Sequence, residues 1–185
     1  MRLIILLLIT TTAFCQDFRS LPPLKPAKAY QDPEAYKVYS ALLAETHKPL
    51  VIRYDTVRDR SCVESVRAHD KAAASALDDY LKVNLTRWAL QDKFSTQSRP
   101  RLIGAQDIRA IDDEWEKPRE KRSFFASPGY LVLSAVGFNP DRTIAVVSIF
   151  YVCGNLCGCG HLAVLRKIDG VWKETEEDQV CSVLH

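Results

Sequence analysis

No charge of either sign dominates this chain: 25 lysines and arginines stand against 23 aspartates and glutamates. A nucleic-acid or anionic-membrane surface needs a basic excess, so neither partner class is expected. Long hydrophobic runs are missing too. The N-terminal run, Leu3–Ile9, falls well short of the roughly 20 apolar residues that cross a bilayer. Also absent are Gly-x-Ser-x-Gly, His-Glu-x-x-His, a phosphate-cradling glycine loop and a calcium loop. With them go the motif-borne routes to nucleophilic, zinc-hydrolytic and nucleotide chemistry, and no cofactor or metal is assigned.

What is present begins with an export signal. Arg2 precedes the apolar run, which thins through Thr10–Cys15 into the polar Gln16-Asp17, the order of a cleavable signal peptide. Ala13 and Cys15 suit the small positions before a cut, so residues 1–15 are expected to be removed, leaving Gln16 first and a periplasmic or secreted product with no transmembrane segment. Lipidation of Cys15 is the alternative, disfavoured by the bulk of Phe14 where lipoprotein signals carry a small residue.

The remainder suits one domain with a real core, since 47% of residues are hydrophobic and 26% charged. Residues 16–31, with Pro22, Pro23 and Pro26, read as an extended lead-in, and residues 32–185 as a single α+β domain. Asp32-Pro33-Glu34 offers a cap, a first-turn proline and a dipole-matched acid, so a helix is expected from there to about His47. Leu50–Val57 reads as a strand, and Asp70–Lys93 as a second helix with Leu77, Leu81, Leu85 and Trp88 on one stripe. Leu102–Ile111 reads as a strand and Asp112–Arg122 as a short exposed helix. Tyr130–Phe138, Thr143–Cys153, Leu162–Ile168 and Val171–Thr175 then form an antiparallel meander, with Asp169-Gly170 as a hairpin turn and an edge strand near Gln179–Leu184. Within Thr143–Cys153, the stretch Ile144–Val152 is apolar on both alternating sets, which places that strand centrally, with the N-terminal helices packed over the meander.

The densest chemistry is Cys153-Gly-Asn-Leu-Cys157-Gly-Cys159-Gly-His161. Three thiolates and an imidazole could hold zinc, but an exported chain oxidises neighbouring thiols, so a local disulfide is the favoured reading. Loss of Cys15 leaves Cys62, Cys153, Cys157, Cys159 and Cys181, an odd number. Cys153 with Cys157 is the first pair, Cys62 with Cys181 the second, and Cys159 the free thiol. The first closes so short a loop that it stabilises by about 2 kcal/mol, the second by about 4 to 5 kcal/mol if unstrained. A dinucleotide reading of Gly158-Cys-Gly160 fails because strand residues, not a helix, follow it.

The segments Ser127-Pro-Gly-Tyr130, Val136-Gly-Phe-Asn139, Cys153–Gly158 and Asp169-Gly-Val-Trp172-Lys173 together resemble a group of uncharacterised exported bacterial proteins. That group shares a Cys-Gly-x-Leu-Cys-Gly turn ahead of a Gly-x-Trp-Lys hairpin. The resemblance covers the last third of the chain and carries no activity across. At the level of fold, helices on a meander ending in Asp-Gly-x-Trp-Lys also resemble the nuclear-transport-factor-2-like fold, from which the strand at Leu50–Val57 departs.

These readings converge on an exported binding or interaction module for a protein or small-molecule ligand. The alternative is a small hydrolase or isomerase with a cavity between helices and sheet. Ser134, Ser148 and His161 are the polar candidates on the expected strands. Two of them sharing a pocket with Asp107 or another carboxylate would favour the enzyme.

Overall fold

The computed structural model describes residues 28–44, 50–118, 129–154, 157–174 and 182–184. Helix α1 (Pro33–Leu42) starts where the sequence places it: the Asp32 carboxylate accepts the Glu34 amide at 3.0 Å and Pro33 occupies the first turn. Its inward residues Ala35, Tyr36, Val38 and Tyr39 are buried. The expected end at His47 lies outside the described residues.

The main sheet is mixed. It runs β10 (Ser182–Leu184), β8 (Cys157–Ile168), β7 (Ile144–Gly154), β5 (Tyr130–Leu133), β2 (Val51–Arg53) and β4 (Arg101–Ile103), with β6 (Gly137–Phe138) paired to β7 and β9 (Val171–Glu174) to β8. β2 is parallel to both β4 and β5; the other pairings are antiparallel. A small second sheet joins β1 (Lys28–Ala29) and β3 (Trp88–Ala89). The fold is thus α+β, and four helices are described.

Strand β7 has both faces covered, as apolar residues on both of its alternating sets require. Ala145 and Val147 join the core cluster under α1, with Ala163, Leu165 and Trp172. Val146 joins a second cluster with Leu162, Val164 and the helices α2 (Val63–His69) and α3 (Ala74–Val83). Val152 joins a third with Ile108, Ile111 and Trp115 of α4 (Ala105–Glu116).

Three expectations need correction. Leu102–Ile111 is not one strand: it breaks at Gly104, whose amide is accepted by Asp107 at 3.0 Å, and α4 follows with Ile108, Ile111 and Trp115 buried at helical spacing. The exposed helix expected at Asp112–Arg122 is the second half of α4. Helix α3 stops well short of Lys93, because Asn84 spends its side chain on Ala135, donating to its carbonyl at 3.0 Å and accepting its amide at 2.8 Å. Leu85 is exposed as a result, and Trp88 belongs to β3. Helix α2 had no counterpart in the sequence reading.

One cluster ties α1 to the hairpin. Glu34 accepts from Lys167 at 2.5 Å, Trp172 Nε1 at 2.8 Å and Lys37 at 3.1 Å. The Lys167 hydrogen bond, aided by Trp172 and Lys37, pulls this carboxyl from 4.5 down to about 2 against the opposing effect of burial. A value lowered in the folded state stabilises above the unfolded pKa and loses that contribution as pH falls from about 4.5 toward 2. Glu34→Gln is therefore expected to cost about 2 kcal/mol at pH 7. It should also flatten the acid loss. Urea midpoints at pH 7 and pH 3 measure both, and an unchanged slope against pH would contradict the assignment.

Candidate functional site

The structure brings two of the three polar candidates together. Ser134 and Ser148 are cross-strand neighbours: Ser134 N–H donates to the Ser148 carbonyl at 3.0 Å, and Ser148 N–H donates to Ser134 Oγ at 2.8 Å. Ser134 Oγ in turn donates to the Ala135 carbonyl at 3.0 Å. Ser148 Oγ donates to Asp59 Oδ2 at 2.7 Å, while Asp59 Oδ1 accepts the Ser61 amide at 2.8 Å and hydroxyl at 2.6 Å. Tyr80 Oη donates to the Asp59 carbonyl at 2.7 Å.

This is a serine–carboxylate contact, but of a structural kind. Ser134, Ser148 and Asp59 are 0%, 3% and 8% exposed, and each carboxylate oxygen already has a donor. Such a buried network fixes the loop after β2 against the sheet and presents little surface to a substrate. Asp107, the carboxylate anticipated from sequence, caps α4 instead. His161 is absent from the network: it pairs in register with Ile149, so its side chain faces away from that of Ser148. Its Nε2 lies 2.9 Å from Glu174 Oε1.

The cysteine segment folds as a hairpin end. Cys153 and Cys157 form a disulfide with Cα atoms 5.1 Å apart, and Cys159 is a free, exposed thiol. Two of the three sulfurs once available for zinc are thereby removed as thiolates. Cys62 is also disulfide-bonded and packs beside Leu162. Its partner lies outside the described residues, as does Cys181.

An open cleft of about 500 Å³ lies between β1, the C-terminal half of α3 and the turn leaving β6. Tyr30, Trp88, Val136 and Phe138 give it apolar surface; Gln31, Asp32, Asp79 and Arg142 give it polar groups. The turn is built locally. Asn139 Oδ1 accepts the amides of Thr143 at 2.8 Å and Ile144 at 2.9 Å, and Arg142 takes a positive φ of 52°. That backbone sets the Arg142 guanidinium 4.3 Å from the centre of the Phe138 ring and in an ion pair with Asp32.

Other groups are spent on shape. Tyr30 Oη accepts the Val136 amide at 3.1 Å, Trp88 Nε1 donates to the Val83 carbonyl at 3.1 Å, and Asp79 Oδ2 accepts the Phe138 amide at 2.9 Å. Burial, the largest influence, raises the Tyr30 phenol far above its ordinary range, so it stays neutral. Among the described residues, Asp79 Oδ1 and the Gln31 amide have no partner and remain available to a ligand.

Sequence reasoning did not single out this cleft. Tyr30 sat in the lead-in, Asp79 within the expected second helix, and Asn139-Pro140-Asp141 registered only as a turn; nothing local shows that they meet. Comparison of the chain with protein-family models, curated proteins and solved structures gives no match in any of the three.

The thiol pattern is directly measurable. Alkylation of the native protein followed by non-reducing peptide mapping is expected to label Cys159 alone, with Cys153 linked to Cys157 and Cys62 to Cys181. Labelling of Cys157 without reductant, or a bridge from Cys159 to any other cysteine, would contradict the pattern.

Proposed function

We propose that the chain is an exported binding module whose ligand is a small molecule with a flat apolar body and a hydrogen-bond-donating, cationic end. The cleft carries this reading. Its aromatic surface offers area to a ring system, and the free Asp79 oxygen offers an acceptor to an ammonium group. On this reading the N-terminal helices and the antiparallel strands of the C-terminal half form the scaffold, and β1 closes one wall.

Export is supported by the order of charge and apolarity in residues 1–15. The Cys153–Cys157 disulfide suits an oxidising compartment. The resemblance of the last third to exported bacterial proteins points the same way. The hydrolase or isomerase alternative lacks a comparable observation, since the serine–carboxylate contact is buried.

Amide chemical-shift mapping with aromatic amines and their neutral and carboxylate analogues tests the proposal. The amines are expected to shift Tyr30, Asp79, Phe138 and Arg142 as a group, and Asp79→Asn, which keeps an acceptor for the Phe138 amide, to weaken them about tenfold. Absence of shifts at these residues, or equal binding of all three charge types, would overturn it.

A further inference from the structure

A second cluster of charge lies where β2 ends. Arg53 Nε donates to Asp55 Oδ1 at 2.6 Å and its Nη2 to Oδ2 at 3.3 Å, a two-point contact. Arg87, just before β3, brings Nη2 to 3.2 Å from the same Asp55 Oδ2, while its Nε donates to the Thr56 carbonyl at 3.3 Å. The side chains of Arg53, Arg87 and Asp55 are 10%, 17% and 7% exposed. Among the described residues no other carboxylate touches either guanidinium.

Two cations therefore share one anion in a site nearly closed to water. The imbalance is local to Arg87, whose Nη1 and Nη2 are both buried without a hydrogen-bond partner; the approach to Asp55 is close but misaligned for donation. A guanidinium cannot escape by releasing its proton in any ordinary pH range. Buried N–H groups left unfilled are rare in proteins and call for a missing partner, either water or an ion. A surplus positive charge selects the ion, and the planar guanidinium fork matches an oxyanion in two-point geometry.

The position agrees. Arg53 is the last residue of β2 and pairs in register with Ile103, the last of β4, so both parallel strands end here. Open sheets with parallel strands bind ligands beyond the carboxyl ends of those strands. Arg53 projects to the face covered by α4, shown by its neighbour Ile103 packing against Ile108 in the same cluster.

We infer that Arg87, backed by Arg53 and oriented by Asp55, forms a binding site for an oxyanion, either a phosphate or a carboxylate group. The site shares no lining residue with the aromatic cleft. Asp55 holds the Arg53 fork in place, and the anion completes the hydrogen bonds that Arg87 leaves open.

Thermal unfolding in inorganic phosphate, acetate and chloride, at equal ionic strength and pH, tests this and separates the two oxyanions. Phosphate or acetate is expected to raise Tm saturably over chloride, by about 5 °C at a hundredfold excess over Kd. Arg87→Gln should abolish that rise while unfolding in chloride no earlier than wild type, because relief of the surplus buried charge offsets the lost Nε bond to the Thr56 carbonyl and leaves Asp55 paired with Arg53. Arg87→Lys keeps the charge without the fork and should bind about tenfold more weakly. No anion-specific rise in wild type would overturn the inference, as would an equal rise in wild type and both variants. So would a loss of stability in chloride for Arg87→Gln, which would mark Arg87 as a structural partner already satisfied.

Discussion

The structure depends on keeping both faces of β7 out of water. Ala145 and Val147 face one way and Val146 and Val152 the other, so a sheet with only one covered side would strand half of them. Burying a side chain of this kind is worth about 1.5 to 3 kcal/mol. Helix α1 with Trp172 covers one face; α2 and α3 at one end and α4 at the other cover the second. Buried tyrosine hydroxyls inside this arrangement are matched: Tyr39 Oη donates to the Ser134 carbonyl at 2.7 Å, and Tyr80 Oη to the Asp59 carbonyl at the same distance. Close packing sets tolerances as well, since a Cβ at Gly137 would stand 2.2 Å from the Tyr80 backbone nitrogen.

Both proposed sites sit where this packing stops. The cleft opens beside the turn into β7, where the N-terminal strand and α3 diverge over Phe138. The arginine cluster marks the ends of the short parallel strands, on the far side of β5 from β7. The interior serine–aspartate network, by contrast, is buried and spends its hydrogen bonds on holding the loop after β2. Placement of unspent groups, rather than residue type, separates the sites from the scaffold.

Legibility from sequence followed the range of the determining interaction. The start of α1 was readable because Asp32 and Pro33 act within one turn. The β8–β9 turn was readable because Asp169 and Gly170 take positive φ values of 52° and 80°, which that residue pair tolerates. The central position of β7 followed from its lack of alternation. Parallel pairing of β2 with β4 and β5 was not readable, because strands of three or four residues carry no pattern and their partners lie far along the chain. The first half of α4 was mistaken for strand because Leu102 and Ile103 do form one, and the change of period at Gly104 comes only a residue later. Ser134 and Ser148 were flagged as polar on apolar strands and do meet, but Asp59, their charged partner, sits in a loop that gave no signal. Arg53 and Asp55 lay unremarked within an expected strand and Arg87 within an expected helix, and only their burial sets them apart.

The central claim, that burial of β7 on both faces organises the domain, is tested most directly by native-state hydrogen exchange. The account predicts that amides of Ala145–Val152 and their partners in β8 exchange only through global unfolding, with protection equal to the full unfolding free energy, while those of β2 and β4 open at lower cost. Protection in β7 no greater than that in β4 would contradict it.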